Sequence, residues 1–387
     1  MRSCFFKRIV CAFFAVAILI TPIFASKPEV VETVAGLSAQ SHCLLDADTG
    51  KVLSSANADQ ALPMASTTKI MTCILALELA SPASEVVIPK EAVGVEGSSV
   101  YLTKGEKLTL EELLYALMLE SANDAAVAIA IFIDGSIDAF AERMNKKAMA
   151  LEMTSTNFKN PHGLPCDGHY STARDLCKLM AYSMKNLVFA EITATKTKSI
   201  SAPDGKTRFL SNHNRLLRSL ETCIGGKTGY TKTAGRCLVT AAEEKGKTLV
   251  CATLGDPNDW KDHTALFDYG FSLYEEKTLA EIGSLSVELP VVGGQENSLR
   301  CVNASALSLY LLANETPKIH WELPQFVYAP TVAGDVLGDA VFTLNGEEIG
   351  RVAVVAQESL EKEHIEPGFF EKLWNTIKTW WQKLWNK

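Results

Sequence analysis

A serine and a lysine stand three residues apart in the apolar segment PMASTTKIMT, residues 63–72. At helical pitch Ser66 and Lys69 lie one turn apart on the same face. A serine hydroxyl is a weak nucleophile and needs a base, and a lysine serves as that base only when its amine is neutral. Burial or a second cation nearby favours the neutral amine. The spacing therefore indicates covalent catalysis by Ser66 with Lys69 as its base.

Two further short motifs follow this pair along the chain. Ser121-Ala122-Asn123 stands at a break between two apolar helical runs, and Lys227-Thr228-Gly229 lies in a run typical of a strand. A Ser-x-x-Lys match alone is common, and a helix cap followed by a surface lysine accounts for most such matches. Three motifs in this order, each on the element its role requires, favour one shared site over coincidence.

The three motifs together resemble the set found in penicillin-binding proteins and serine β-lactamases. Longer stretches, DADTGKVL, ASTTKIMT, NPHGLP, GHYSTARDL and GGKTGYTKTAGRCLVTAA, are similar to the low-molecular-mass D-alanyl-D-alanine carboxypeptidases. These form the penicillin-binding protein 5 and 6 group, peptidase family S11. The resemblance covers essentially the whole mature chain. It implies an enzyme that removes the terminal D-alanine from peptidoglycan pentapeptide stems through an acyl-enzyme and is inhibited by β-lactam antibiotics.

The resemblance also implies a role for each residue of the first two motifs. Ser66 attacks the carbonyl of the penultimate D-alanine, and Lys69 is the general base. Ser121 relays the proton toward the leaving amine. Asn123 holds a substrate amide and helps to orient Lys69.

The residues of the third motif are implied to bind the substrate. Lys227 keeps the site positive, which lowers the pKa of Lys69, and attracts the substrate carboxylate, to which Thr228 donates a hydrogen bond. Gly229 leaves room for the substrate along the strand edge. The backbone N–H groups of Ser66 and Tyr230 form the oxyanion hole. Tyr230 stands where the best-known members have histidine, and since only its backbone is needed, we expect activity with altered pH or substrate preference.

Strand patterns at both ends of residues 26–275 bracket a helical middle. Residues 42–55 alternate around a turn and predict a hairpin, and residues 224–231, 236–243 and 248–255 predict three late strands. Thr109 and Glu112 have capping-box spacing at the start of a long helical stretch. We therefore predict an α+β, transpeptidase-like domain whose five-stranded antiparallel sheet combines the hairpin with the late strands.

Changes in composition divide the chain into four parts. Residues 1–25 have a basic start, an apolar stretch and a small-residue end, which predicts a secretory signal peptide. Residues 26–276 hold the motifs and form the predicted D,D-peptidase domain. Residues 277–357 alternate strongly, with an Asn345-Gly346 turn, and predict a small β-sandwich-like domain. Residues 358–387 predict a linker and an amphipathic helix.

The last 22 residues, 366–387, have the pattern of a helix that lies in a membrane surface. Lysines occupy its polar side at positions 372, 378, 383 and 387, and the opposite side carries Phe370, Leu373, Trp374, Ile377, Trp380, Trp381, Leu384 and Trp385. A docked core helix or an oligomer seam is the alternative. With the signal peptide, this helix predicts an exported enzyme bound peripherally to the outer face of the bacterial cytoplasmic membrane.

Composition excludes several other functions. The net charge of −8 becomes more negative once the signal's three cations leave, and phosphate binding needs clustered positive charge, so nucleic acid is not expected as a partner. The chain has neither a phosphate-binding loop nor a dinucleotide fingerprint, and we expect no cofactor. His162, Cys166 and His169 form a weak zinc candidate without a fourth ligand at usual spacing, so no metal is expected.

Two alternatives stay open at this stage. A serine β-lactamase has related motifs, but no convincing glutamate for deacylation stands out, and SAN replaces the SDN of the best-known class. A penicillin sensor that acylates without turnover has the same motifs as the enzyme.

Overall fold

The computed structural model describes residues 34–202, 205–364 and 368–385. The predicted signal peptide, residues 1–25, lies outside the described residues. Within the described ranges the α-helices are α1 Lys69–Leu79, α2 Leu110–Leu119, α3 Asn123–Asp134, α4 Ile137–Ala150, α5 Ala173–Met184, α6 Leu187–Ala194, α7 Leu216–Ser219, α8 Asp259–Ser272 and α9 Phe369–Trp385. Short 3₁₀ helices occupy Ala65–Thr68 and Lys90–Ala92.

The β-strands of the described residues fall into an early, a middle and a late group. The early and middle strands are β1 Ser41–Asp46, β2 Val52–Ala56, β3 Glu85–Val87, β4 Lys107–Thr109, β5 Thr197–Ser201, β6 Thr207–Ser211, β7 Cys223–Thr231, β8 Gly235–Glu244 and β9 Lys247–Leu254. The late strands are β10 Tyr274–Ala280, β11 Ser286–Val292, β12 Ser298–Asn303, β13 Leu307–Leu312, β14 Lys318–Glu322, β15 Val327–Tyr328, β16 Val336–Leu344 and β17 Glu347–Ala356.

The central sheet has five strands in the order β2-β1-β9-β8-β7, and all its pairings are antiparallel. The early hairpin β1–β2 therefore joins the late strands through β9, and the predicted sheet is confirmed. Because β7 pairs only with β8 within this sheet, it forms one edge. The third sequence motif lies on this edge strand.

Helices cover both faces of the central sheet. Helix α5 packs against β1, β8 and β9 on one face, and α8 packs against the same strands on the other. The main core lies on the α5 side and includes most residues of the helices α2 and α3. Burial on this scale is the main source of stability in a domain of this size.

The break between α2 and α3 follows from local chemistry. Thr109 caps α2 by accepting from the Glu112 backbone N–H, and the Glu112 side chain accepts from the Thr109 backbone, as the capping-box spacing predicts. At the other end, Ser121 has a positive φ of 60°, a conformation that interrupts a right-handed helix. Helix α3 starts two residues later, at Asn123.

Residues 274–363 form an all-β unit, as expected. The main sheet of this unit has six strands in the order β14-β16-β17-β12-β11-β15, which are antiparallel except for the β11–β15 pair. The β16–β17 hairpin turns at Asn345-Gly346, which the sequence predicts. The remaining pair, β10 and β13, contributes Tyr274 and Leu312 to the core beneath α8, so it joins the two units.

The structure extends the β unit beyond the predicted boundaries of 277 and 357. Strand β10 begins at Tyr274, and Leu360 is buried in the core of the β unit. Bridges join Leu360 to Thr331 and Lys362 to Gly294, so residues 358–363 belong to the fold and not to a linker. Alternation in the sequence does not reveal these isolated bridges.

Helix α9 exposes its apolar side chains. Phe370 and Trp374 are 83% and 66% exposed, and Trp380 and Trp381 are more than half exposed. Among the described residues, we find no helix with the length and apolar content needed to cross a bilayer.

Candidate active site

The 3₁₀ turn at Ala65–Thr68 presents Ser66 at the start of the buried helix α1. The sequence places Ser66 within an α-helix, but the structure places it in the tighter turn that leads into the helix at Lys69. Ala65 has a positive φ of 48°, a strained conformation for a residue with a side chain. Such strain is typical of functional sites that the surrounding fold holds in place.

Lys69 is fully buried and has three oxygen partners. Its Nζ lies 2.9 Å from Ser66 Oγ, 2.7 Å from Asn123 Oδ1 and 2.6 Å from the His162 carbonyl. The first two partners are predicted site residues. The third is a backbone atom of the loop between α4 and α5, which no side-chain motif could have revealed.

Both polar atoms of the Asn123 side-chain amide make hydrogen bonds. Its Oδ1 accepts from Lys69, and its Nδ2 donates to the Glu96 carbonyl at 2.6 Å. The next residue, Asp124, fixes the same neighbouring loop by accepting from Ser99 Oγ at 2.6 Å and from the Leu102 backbone at 3.0 Å. The second motif is therefore anchored to residues 96–102.

Lys227 is also buried, and it connects the second and third motifs. Its Nζ lies 3.0 Å from Ser121 Oγ and 3.0 Å from the Thr228 carbonyl. Strand β7 passes close to the Ser66 turn at Gly229, where an added Cβ would come within 2.9 Å of the Ser66 nitrogen. A glycine is required there because any side chain would push the strand away from the turn.

Burial dominates the electrostatics of both lysines. It lowers the pKa of Lys69 well below its ordinary value, and the positive charge of Lys227 lowers this pKa further, while Asp124 opposes the shift. Burial lowers the pKa of Lys227 to about 7. Both amines therefore lose their protons far more readily than a surface lysine does.

A cleft of about 330 Å³ opens beside these groups. Five of the predicted residues line this cleft: Ser66, Ser121, Thr228, Gly229 and Tyr230. Lys69 and Lys227 are buried and do not line it. Six other residues that line the cleft were missed from the sequence: Ser98, His213, Arg215, Arg236, Asp259 and Trp260.

One of the missed residues had a signal in the sequence. Arg236 stands opposite Tyr230 in the β7–β8 pairing, so the hairpin register alone predicts that it lies beside the third motif. Its guanidinium binds Asp259 at 2.7 Å and lies over the Trp260 ring. Asp259 and Trp260 come from α8, which no motif links to the site.

The zinc candidate has other partners in the structure. His169 Nε2 lies 2.9 Å from Thr68 Oγ1, and its Nδ1 accepts from the Lys159 backbone N–H at 3.0 Å. Both ring nitrogens of His169 are therefore engaged. Among the described residues, no group of three or more histidine, cysteine or acidic side chains is arranged to hold a metal ion.

This geometry defines a class of enzyme: serine hydrolases that use a lysine, and not a histidine, to activate the nucleophile. Comparison with known proteins narrows the class. Residues 28–258 match the family model of D-alanyl-D-alanine carboxypeptidase, and residues 274–362 match that of the penicillin-binding protein 5 C-terminal domain.

Individual relatives agree with the family models. The chain is 32% identical to the D-alanyl-D-alanine carboxypeptidase DacF of Bacillus subtilis, over 88% of this chain and 90% of the relative. It is 36% identical to the D-alanyl-D-alanine carboxypeptidase DacB2 of Mycobacterium tuberculosis, over 64% of this chain and 86% of that relative. Penicillin-binding protein 5 from Haemophilus influenzae superposes with a TM-score of 0.61 at 27% identity, covering 86% of this chain and all of that structure.

The chain belongs to the D-alanyl-D-alanine carboxypeptidase family, the S11 serine peptidases. The resemblance inferred from the motifs is confirmed, and so are the fold class and the serine carboxypeptidase activity. Enzymes of this family act on peptidoglycan peptides and bind penicillins.

Proposed function

We propose that this carboxypeptidase removes the terminal D-alanine through an ester on Ser66, with Lys69 as the base. The contacts of Lys69 Nζ carry this proposal. A neutral amine has two N–H donors and one lone pair. Asn123 Oδ1 and the His162 carbonyl can only accept, so they take the two donors. The lone pair then faces Ser66 Oγ, the one partner that can donate a proton.

The lowered pKa of Lys69 makes that neutral state accessible. A base with an ordinary lysine pKa would be protonated at neutral pH and unable to accept from serine. Burial and the charge of Lys227 both favour the neutral amine. The two lysines therefore have separate roles, one as the base and one as the cation that assists it.

Acylation follows from the positions of the second serine and the edge strand. Ser66 Oγ attacks the carbonyl of the penultimate D-alanine, and its proton passes to Lys69. Ser121, hydrogen-bonded to Lys227, relays a proton to the nitrogen of the departing D-alanine. Water then hydrolyses the ester and regenerates Ser66.

The substrate lies along the free edge of β7 in this proposal. Thr228 and the cations of the cleft bind its terminal carboxylate, and the Ser66 and Tyr230 N–H groups bind the carbonyl oxygen as it becomes negative. The glycine at position 229 supports this placement because it keeps the strand within reach of the Ser66 turn. The Tyr230 side chain is 67% exposed, so it adds a contact surface without entering the oxyanion hole.

The enzyme is exported and held on the outer face of the cytoplasmic membrane by α9. Its exposed tryptophans and phenylalanines, with lysines on the opposite side, are typical of a helix that lies in the headgroup region. The substrate class supports this location, since peptidoglycan lies outside that membrane.

A D-alanine release assay tests the catalytic proposal. The full chain should release D-alanine from diacetyl-Lys-D-Ala-D-Ala, and a fluorescent penicillin should label Ser66, as peptide mapping can show. Ser66→Ala should abolish both signals, while Ser286→Ala, which changes an exposed serine of β11 in the β unit, should retain them. An adduct on another residue would overturn the assignment, and rapid nitrocefin turnover without D-alanine release would favour a β-lactamase.

A further inference from the structure

The peptide unit between Ala65 and Ser66 carries one of the two proposed oxyanion donors. The Ala65 carbonyl and the Ser66 N–H belong to the same planar unit, so whatever fixes the direction of the carbonyl also aims the N–H. The carbonyl accepts a hydrogen bond from Thr68 Oγ1 at 2.8 Å. On its other side Gly163 is so close that an added Cβ would lie 1.9 Å from the oxygen.

The Thr68 hydroxyl has a second partner, His169. Thr68 is completely buried, and its Oγ1 lies 2.9 Å from His169 Nε2. On the other side of the ring, Nδ1 faces the Lys159 backbone N–H, which can only donate. Nδ1 must therefore accept, and the neutral imidazole carries its proton on Nε2.

These contacts form a hydrogen-bond chain with one direction. The Lys159 N–H donates to His169, His169 donates to Thr68 Oγ1, and the hydroxyl is left with its own proton for the Ala65 carbonyl. Burial lowers the pKa of His169 to about 4, so the ring stays neutral at physiological pH and the direction does not reverse.

We propose that His169 is a positioning residue that acts through Thr68 on the Ala65–Ser66 peptide and thereby aims the Ser66 N–H at the oxyanion. This inference rests on the proposed function, in which that N–H stabilises the tetrahedral intermediate. It gives His169 a part in catalysis although the side chain does not line the cleft. The competing interpretation is that His169 only fills space against Phe158, whose ring packs edge-on at 6.1 Å.

Paired substitutions at both positions separate these interpretations. Thr68→Val removes the hydroxyl at nearly constant volume, and Thr68→Ser keeps it. His169→Leu removes the donor, and His169→Gln keeps an N–H near the position of Nε2. The full-length variants are compared for kcat and KM on diacetyl-Lys-D-Ala-D-Ala, and for affinity toward a peptide boronic acid, whose tetrahedral adduct occupies the oxyanion hole.

The valine and leucine variants should lose on the order of 10- to 100-fold in kcat and in boronate affinity, since a misaimed donor costs less than a deleted one. Their KM should stay within about threefold, because the ground-state carbonyl depends little on this donor. The serine and glutamine variants should recover most of the loss. The double variant Thr68→Val/His169→Leu should have about the same kcat as the less active of the two single variants, because both substitutions break the same hydrogen-bond chain.

Equal losses in the glutamine and leucine variants, or a change confined to KM, would overturn the inference. If the leucine variant fails to fold, the Thr68→Val and Thr68→Ser pair decides the question alone. Wild-type enzyme and Ser66→Ala accompany every measurement. Wild-type protein that is not acylated at Ser66 would refute the proposed function itself, whereas normal acylation with unaffected His169 variants would refute only this inference.

Discussion

At the residue scale, the active site depends on two buried lysines that have no carboxylate partner at hydrogen-bond distance in the part of the chain that the structure describes. Every hydrogen-bond partner of Lys69 and Lys227 is a neutral oxygen. By contrast, the buried Arg208 binds Glu106 through two bonds of 2.6 and 2.9 Å, which compensates its charge and lowers the pKa of that carboxyl. Neutral partners leave the desolvation cost of a lysine uncompensated, and the pKa falls. The same fold therefore keeps the buried Arg208 charged, whereas it favours the neutral amine of the buried Lys69, which can then accept a proton.

The pH dependence of the acylation rate should reveal how the charge of Lys227 affects the pKa of Lys69. Acylation needs neutral Lys69, so the rate should fall as the pH drops through its pKa. Below pH 7 Lys227 is charged and holds that pKa down. Lys227→Gln removes the charge, so the pKa of Lys69 should rise and the acidic limb of the pH–rate profile should move to higher pH.

Lys227→Arg is the matched control for this measurement, made with a fluorescent penicillin between pH 4 and 9. It retains the charge, and its acidic limb should stay near that of the wild type even if the overall rate falls. A limb that moves to lower pH in the glutamine variant would contradict the proposed role of Lys227.

At the element scale, the site is assembled where regular structure is interrupted. Ser66 lies in a 3₁₀ turn after a positive-φ alanine, and Ser121 is itself a positive-φ residue between α2 and α3. Neither conformation can continue a right-handed helix. Both serines are thus held by turns within the packed domain. Strand β7 contacts the Ser66 turn and forms a further wall of the site.

The sequence predicts the elements better than it predicts these junctions. Periodicity and capping residues such as Thr109 reveal the helices, and alternation reveals the five strands, because both depend on neighbours in the chain. The motifs likewise indicate Ser66, Lys69 and Lys227. The contribution of the His162 carbonyl is invisible because any residue has that atom. Trp260 was missed because only tertiary packing brings α8 to the cleft.

Two glycines of the loop between α4 and α5 test whether the Ser66 turn needs its close neighbour. Gly163 and Gly168 both have positive φ, 93° and 77°, so alanine at either should cost roughly 1–2 kcal/mol of backbone strain. Only at Gly163 would the new Cβ meet the Ala65 carbonyl; at Gly168 it meets the end of the flexible Lys159 side chain at 3.3 Å.

Gly163→Ala should therefore lower the acylation rate on the order of 100-fold, by displacing the Ala65–Ser66 peptide. Gly168→Ala should acylate at close to the wild-type rate despite its strain. Thermal unfolding of both variants measures the strain, and labelling by a fluorescent penicillin measures the activity. Equal acylation losses in the two variants would mean that the loop acts through its stability alone.

At the scale of the whole molecule, three parts follow one another with different surface chemistry. The catalytic unit and the β unit share β10 and β13, and the Tyr274 hydroxyl donates to Asp46 of the central sheet, so these two parts are joined by a packed core. Helix α9 differs because its large apolar side chains face solvent. A soluble monomer rarely exposes such a surface without a partner, and we expect a lipid surface to be that partner because tryptophans and lysines are suited to it.

Removal of α9 should separate membrane binding from catalysis. The cut belongs after His364, because Leu360 is buried in the β unit and a cut after Ser359 would open its core. The shortened enzyme should keep its kcat and KM on diacetyl-Lys-D-Ala-D-Ala, since no cleft residue is lost, but should no longer sediment with phosphatidylglycerol vesicles.

In the full chain, Trp380→Ser/Trp381→Ser should weaken sedimentation, whereas Thr376→Ser/Thr379→Ser should not. Vesicle binding that persists in the shortened enzyme would place the membrane contact elsewhere on the molecule, and loss of activity would show that α9 also supports the catalytic fold.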